Sequence, residues 1–448
     1  MPLHTKILLG LLVGAVAGVA ANATLGDAPG LRWTVDNVAQ PIGQVFLRLL
    51  FMIVVPLVFA SLALGVAALG DLSKVGRIGA KTIGFFLLTT GFAATLGLVL
   101  VNTVRPGEAL DPAVRTALLA EYAPQASEKV AAAGASGFGV NTFVNIIPRN
   151  PIDAAAKGEM LPLIFFALVF GVALTRISPE AAGPVLRVLD GISEAVIVII
   201  GFAMKVAPVG VAALIFSVTA RFGFDVLRSL GLYVVMVIAG LAFHLFVVIP
   251  ALGKVLAGVG PGALFRKGRA MMVTAFSTSS SNATLPTTIR TAEQFGVPRE
   301  IAGFVVPLGS TMNMNGTALF EGMTVLFLAQ VFAVNLSFGT QLVVIVMSVI
   351  TALGAAGVPG GSIPLLVLVL EMVGVPGEGI ALVLGVDRIL DMSRTVPNVT
   401  GDLLTSLVVA RSEGVTLHPD DDVPPLDRVP DEVPATVAVA VDAERRGL

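Results

Sequence analysis

The sequence predicts an all-α polytopic membrane protein, on the strength of its composition, the length of its apolar runs and one charged helical stripe. The 448-residue chain is 55% hydrophobic and 13% charged, with a mean hydropathy of +0.92, well outside the balance of soluble domains. Apolar runs near 7–25, 43–70, 79–103, 160–177, 190–218 and 229–257 are each long enough for a helix to cross about 30 Å of hydrocarbon. A net charge of −2 without a dense basic run gives no electrostatic case for nucleic-acid binding. The lack of cysteine removes disulfides, thiolate chemistry and cysteine metal sites.

Taken in order, the first run follows MPLHTK with no cleavage site to close it, so a retained first span is expected. Between the third and fourth runs, 104–157 carries Glu108, Asp111, Arg115, Glu121, Glu128 and Lys129 among many small residues and reads as an external loop or irregular helix. Lys6, Lys74, Arg77, Lys81, Lys254, Arg266, Lys267 and Arg269 flank alternate ends of the runs, which places both termini in the cytoplasm. After 258 the pattern breaks. AFSTSSSNATLPTT at 275–288 and GAAGVPGGSIPLL at 354–366 are apolar enough for membrane depth but interrupted by small polar residues, Gly and Pro. Irregular backbone at that depth survives only where protein or a cavity covers it, so each is expected to be a helical hairpin that enters the bilayer and turns back. A flexible loop is the blander reading of either alone. Between them, PLGSTMNMNGTALFEG at 307–322 reads as a helix unwound at its middle, freeing the hard oxygen ligands an alkali cation needs. From about 413 the acidic, Pro-rich HPDDDVPPLDRVPDEVP reads as a disordered tail.

The charged stripe lies in GIALVLGVDRILDMSRTVPNVTGDLLTSLVVA. At about 100° per residue, Asp387, Asp391, Arg394, Asn398 and Asp402 share one narrow helical face, with Arg388 and Thr395 beside them. Such groups are costly in hydrocarbon and must face a protein interior, an aqueous cavity or a polar ligand. The stripe is therefore the candidate binding site, the alternative being a structural ion network. Asp387 reads as structural, paired with Arg388 or a neighbouring helix. Lys205 is placed to snorkel, Glu371 near an aqueous boundary, and His244 as a hydrogen-bonded packing histidine.

The runs SSSNATLP, NMNGT, GVPGG and DRILDMSRTVPNVTGD resemble those of the dicarboxylate/amino acid:cation symporters, a family that includes the excitatory amino-acid transporters. The likeness covers nearly the whole chain except the acidic tail. It implies eight transmembrane helices and two re-entrant helical hairpins, assembled as a homotrimer in the cell's inner membrane, with no enzyme activity. It also implies an elevator mechanism in which one part of each protomer slides against a scaffold. On that pattern 1–70 holds scaffold helices 1–2, 71–106 helix 3 of the transport domain, and 107–222 the external loop with scaffold helices 4–5. Residues 223–412 form the transport core and 413–448 the cytoplasmic tail. The implied cargo is L-aspartate or L-glutamate, with Na+ as coupling ion, H+ as a further one, and no cofactor.

By the same resemblance, Arg394 pairs with the substrate's side-chain carboxylate, for which a guanidinium supplies a bidentate fork. Asp391 receives its α-ammonium and so favours an amino acid over a plain dicarboxylate. Asn398, Thr317 and Ser281 hold carboxylates, with backbone from Ser279 and Val358, and Thr395 shares the work. Asp402, Asn398 and Asn313, with the Gly309 carbonyl, match one sodium site; backbone near Thr311 and at 352–355 matches another. Asn315 stands where the family has Asp, and Phe86 where it often has Tyr. With Thr89 and Thr90 these form a third site weakened by the loss of its anion, so fewer than three sodium ions are expected. Glu321 matches a protonatable glutamate of mammalian members; hydrocarbon disfavours a charged carboxylate, which suits it to carry a proton. Where relatives have an auxiliary arginine this chain has Ser279 and Met392, and Arg388 is the available substitute. A sodium-independent, proton-driven carrier of acidic amino acids or C4-dicarboxylates is the alternative. An intramembrane aspartyl enzyme would need a partner acid and a water-activating group, and a passive channel would not accumulate substrate.

Overall fold

The computed structural model describes residues 3–26, 28–70, 76–110, 147–157, 160–355, 357 and 359–419. The described residues form helices and turns. Helix α1 (Leu3–Leu25) leads into α2 (Pro29–Thr34), a π-helical turn (Val35–Ala39), α3 (Gln40–Phe51) and α4 (Val54–Gly70). Then come α5 (Arg77–Val104), α6 (Pro151–Lys157), α7 (Met160–Leu174), the long α8 (Pro179–Phe222) and α9 (Phe224–Phe243). After a further π turn, the short α10 (Ile249–Leu252) and another π turn, the carboxyl-terminal half comprises α11 (Pro261–Thr278), α12 (Ser281–Gln294), α13 (Arg299–Met312), α14 (Asn315–Val331), α15 (Phe338–Gly354), α16 (Ile363–Met372) and α17 (Ala381–Ser412).

Among these residues, five helical stretches are long and apolar enough to cross a membrane: Thr5–Leu25, Pro29–Ala67, Arg77–Ala109, Pro179–Phe222 and Phe224–Ala257. The run at 160–177, expected to be a sixth, is shorter as a helix. α7 has 15 residues and gives way at Thr175 to a turn that ends in the Ser178–Pro179 start of α8. At a rise of about 1.5 Å per residue, α7 is short for a perpendicular crossing. The external loop expected at 104–157 lies mostly outside the described residues. α1 packs directly on the backbone of α8. A Cβ on Gly10 or Gly14 would stand 2.3 Å from the carbonyl oxygens of Pro208 and Ala212, so small residues four apart permit the approach.

The interruptions after 258 fold as local breaks in helix. Between α11 and α12 the chain reverses at Ser279, whose φ of 53° is left-handed, and the Ser280 hydroxyl accepts from the Ala283 N–H to cap α12. The Asn-rich segment breaks at Asn313 and Met314, between α13 and α14. α15 ends at Gly354, and α16 begins at Ile363 with Pro364 in its first turn, where the missing N–H costs nothing. α17 runs through the middle, its first half in one apolar cluster with α14 and α16 and its second half in another with α11 to α13. α14 is buried on every side from Asn315 to Ala329, so its polar residues have only protein around them.

The disorder expected from 413 does not hold for 413–419, which are packed against the rest of the chain. Glu413 pairs with Arg77 and Lys81, and the His418 N–H donates to the Phe295 carbonyl at 2.8 Å. Lys267, one of the basic residues read as flanking the apolar runs, is buried and donates to the Gln294 and His418 carbonyls. Residues 420–448 lie outside the described residues.

Candidate functional site

Arg394 is the centre of the stripe and the bulkiest fully buried side chain, at 1% exposure. Its Nη1 donates to Asp387 Oδ1 at 2.9 Å and its Nη2 to Asp391 Oδ1 at 2.8 Å, two charge-assisted bonds from one planar fork. The guanidinium carbon stands 4.2 Å over the Phe320 ring of α14, a cation–π contact strengthened by the absence of water. α14 comes close because residue 316 is glycine: a Cβ there would fall 2.2 Å from the Arg394 carbonyl oxygen. Asp391 also accepts from the Gly360 N–H at 3.1 Å, and Arg388 Nη1 lies 3.7 Å from its second oxygen. Two carboxylates and two guanidiniums balance.

Around this pair the structure gathers Ser279, Ser281, Met314, Thr317, Gly357, Ser362, Thr395 and Asn398 on a cavity of about 20 Å³, room for about one water. The turn between α11 and α12 meets the turn that follows α15: Ser280 Oγ and the Asn282 N–H both donate to the Gly357 carbonyl, at 2.7 and 3.2 Å. Ser279 Oγ and Ser362 Oγ are buried with no hydrogen-bond partner among the described residues, an unmet demand beside the cavity. Asn398 Oδ1 accepts from the Gly316 and Thr317 N–H groups at 2.7 and 3.3 Å, satisfying the orphan amides that open α14. Its Nδ2 donates to Thr317 Oγ1 at 3.1 Å. The Thr395 hydroxyl lines the cavity but donates to the Asp391 carbonyl at 2.7 Å. Val358 lies outside the described residues.

One helical turn deeper, Asp402 accepts from Asn313 Nδ2 at 2.9 Å and is 1% exposed. A Cβ on Gly309 would meet Asp402 Oδ1 at 2.3 Å, so glycine lets the broken helix reach this carboxylate. The Gly309 carbonyl accepts the Asn313 N–H, while Asn313 Oδ1 lies 3.4 Å from the Thr89 hydroxyl of α5. Carboxylate, amide and carbonyl oxygens are the donors a hard cation takes. Thr311 is exposed in the last turn of α13, and 352–355 span the end and C-cap of α15, beyond which Gly357 is set against the Ser310 carbonyl. Asn315 Oδ1 accepts from Thr90 at 2.8 Å with Phe86 fully buried nearby on α5; this cluster carries no anion.

Glu321 is fully buried on α14. Its Oε2 lies 2.5 Å from Thr351 Oγ1, which also lies 2.7 Å from the Met347 carbonyl, and its Oε1 has no partner. One hydroxyl proton cannot serve both acceptors fully; a proton on Glu321, donated to Thr351, would let Thr351 donate to Met347.

A family model described as the sodium:dicarboxylate symporter family matches residues 3–412. The chain belongs to this family. It is 36% identical over 405 residues to a proton/sodium-glutamate symport protein of Geobacillus stearothermophilus, covering 90% of this chain and 94% of the relative. It is 37% identical over 405 residues to a proton/glutamate-aspartate symporter of Escherichia coli, covering 90% and 92%. A C4-dicarboxylate transport protein of Bacillus subtilis is 32% identical over 399 residues, covering 88% and 92%. All three relatives are named as symport or transport proteins.

Three features escaped the sequence reading. Asp387 does not pair with Arg388; it holds the second arm of Arg394, and its place one turn before Asp391 on the same face was the available signal. Phe320 and Ser362 join the site, Phe320 one turn beyond Thr317 and Ser362 directly after GVPGG. His244, expected to be hydrogen-bonded, is buried with neither ring nitrogen partnered among the described residues. Lys205 stands 5.5 Å from the Phe202 ring centre.

Proposed function

We propose that the chain is a secondary active symporter importing L-aspartate or L-glutamate on a cation gradient, with sodium as coupling ion and fewer than three sodium ions per substrate. The observation that carries this reading is Arg394, buried with both guanidinium arms on carboxylates beneath two touching hairpin tips. Substrate entry would exchange one internal partner of Arg394 for the substrate's side-chain carboxylate. The Asp391 oxygens would then turn to its ammonium, while Thr317, Asn398, Ser279 and Ser281 hold the α-carboxylate. Since the cavity of about 20 Å³ cannot take an amino acid, the tips must part to admit one.

Asp402, Asn313, Asn398 and the Gly309 carbonyl form the first sodium site in this reading, and backbone near Thr311 and at 352–355 the second. The polar transport part, 71–106 with 223–412, slides against a scaffold of 1–70 and 107–222 in each protomer of a homotrimer. The fold is then eight transmembrane helices and two re-entrant hairpins, in the inner membrane with both termini cytoplasmic. Uptake of labelled aspartate into proteoliposomes, with sodium and proton gradients imposed separately, tests it. Accumulation driven by an inward sodium gradient is the expected result; equilibration without accumulation would mark a channel.

The Glu321–Thr351 contact favours a second reading, in which a proton rides on Glu321 and the carrier is proton-driven and sodium-independent, its substrate an acidic amino acid or a C4-dicarboxylate. Accumulation on a proton gradient in sodium-free buffer would select it.

A further inference from the structure

Beyond α17, residues 413–419 cross the ends of three other helices. Glu413 bonds Arg77 and Lys81 of α5, and Lys81 also donates to the Ser412 carbonyl and hydroxyl at 3.1 and 2.9 Å. Val415 and Leu417 pack on the apolar cluster that contains Leu264 of α11 and Phe295. The His418 N–H donates to the Phe295 carbonyl at 2.8 Å, directly after α12. From α11, Lys267 donates to the Gln294 carbonyl at 2.9 Å and to the His418 carbonyl at 2.6 Å. One buried ammonium thus joins α11, α12 and the segment beyond α17, and neighbouring Arg266 reaches the Pro419 carbonyl at 3.3 Å. Residue 296 is glycine with φ 88°, and a Cβ there would stand 2.7 Å from the His418 ring, so the close approach of the segment depends on it.

The other end of the α11–α12 pair is the turn at Ser279–Ser281 on the substrate cavity. There Ser280 and Asn282 tie it across the cavity to the Gly357 carbonyl. The 18 residues of α11 separate the two ends by about 27 Å. Admission of an amino acid breaks the bonds to Gly357, and the pair is then kept in place by its packing along α17 and by the segment at its base. We infer that residues 413–419 form a strap that fixes the base of the α11–α12 pair while its tip is free, sealing the site toward the face where α17 ends. The inference rests on the proposed transport function, in which that face is cytoplasmic. A carrier whose site opens to both faces at once dissipates its gradient; the strap keeps one wall still while the turn after α15 moves.

Hydrogen exchange of the full chain, read by mass spectrometry, and leakage of labelled aspartate from loaded proteoliposomes test this together. His418→Pro deletes one N–H beyond the last helix, and Lys267→Met keeps the apolar stem but loses both carbonyl bonds. In each, the amides of 281–294 exchange about tenfold faster than in wild type, the effect of losing one or two such bonds, while those of 363–372 are unchanged. Aspartate leaks out about tenfold faster without an imposed gradient. Unchanged exchange at 281–294 in His418→Pro overturns the strap, as does an equal rise at 363–372, which would mark general loosening. Faster exchange with unchanged leakage overturns the sealing role. A wild type that accumulates no aspartate on any gradient overturns the transport reading instead, and the sealing role falls with it, while the exchange comparison still decides whether the strap holds the pair.

Discussion

The two halves of the buried polar stripe solve the same problem in opposite ways. In the upper half, Asp387 and Asp391 share Arg394, with Arg388 at 3.7 Å. In the lower half, Asp402 has the Asn313 amide and Glu321 on α14 has the Thr351 hydroxyl, and among the described residues neither has a cationic side chain in ion-pair reach. A carboxylate taken out of water needs a counter-charge or a proton. The upper pair contains its own counter-charge and can exchange it for a ligand's; the lower two must take theirs from solution. That contrast is the physical basis for reading one region as a substrate site and the other as the place of coupling.

The hardest blow to the upper half is loss of its arginine. Arg394→Cys leaves buried Asp387 without its cation and Asp391 with Arg388 at 3.7 Å alone, and it removes the fork; truncating one partner of a desolvated pair costs about 2–5 kcal/mol, which is roughly 30-fold to several thousand-fold in affinity. Aspartate binding by calorimetry should fall by that factor, with small neutral amino acids admitted in its place. Unchanged aspartate affinity would remove Arg394 from the substrate site. Asp402→Asn is the matching blow below. It removes a charge that has no cationic partner among the described residues and keeps an oxygen for the Asn313 amide, so the fold should survive, while the slope of log substrate affinity against log sodium drops by about one, because linkage makes that slope count the ions bound with substrate. An unaltered slope would mean that Asp402 holds no coupling ion.

Smaller effects separate the two lower carboxyls from the neutral cluster beside them. Glu321→Gln keeps a side-chain oxygen for Thr351, so binding should change little while the pH dependence of uptake flattens; a preserved pH profile would rule out this carboxyl as the proton carrier. Asn315→Asp with Phe86→Tyr restores the anion and hydroxyl that the α5–α14 contact lacks. The wild-type sodium slope should lie below three and steepen in the double variant. A wild-type slope near three would sink the reduced-sodium reading.

The broken segments were legible because glycine, proline and small polar residues at membrane depth leave few foldable options. Ser279 at the reversal between α11 and α12 and the Asn313–Met314 break fall inside the runs that pattern singled out. Arg394, Asp391 and Asn398 share a helical face by arithmetic alone, and the structure gathers them on one cavity. What periodicity could not supply was which of several partners a charge selects. Asp387 is four residues from Asp391 and seven from Arg394, so the same stripe fits an Asp387–Arg388 pair as well. Only the packing of Phe320 and the close approach of α14 over Gly316 turn the guanidinium toward both acids. The packing of 413–419 is hidden from the sequence for a related reason: Glu413 opens an acidic stretch, and nothing local reveals that Arg77 and Lys81, more than 300 residues earlier, lie beside it.

Glu413 supplies the reference case for the whole comparison, a carboxylate at the rim with cations of its own. Bonds from Arg77 at 2.5 Å and Lys81 at 2.7 Å hold its carboxyl down at about 2, from an ordinary value near 4.5. A group whose folded-state value is depressed stabilises the fold above its ordinary value and loses that contribution as pH falls toward the depressed one. The melting temperature of Glu413→Gln should therefore lie slightly below wild type at neutral pH, and the gap should close between about 4.5 and about 2. Because Arg77 is largely exposed, added salt should narrow the gap at neutral pH as well. Salt should leave the buried Arg394 pairing untouched. Equal salt sensitivity of Glu413→Gln and Asp387→Asn would show that water reaches the upper stripe, and the contrast between its two halves would no longer rest on burial.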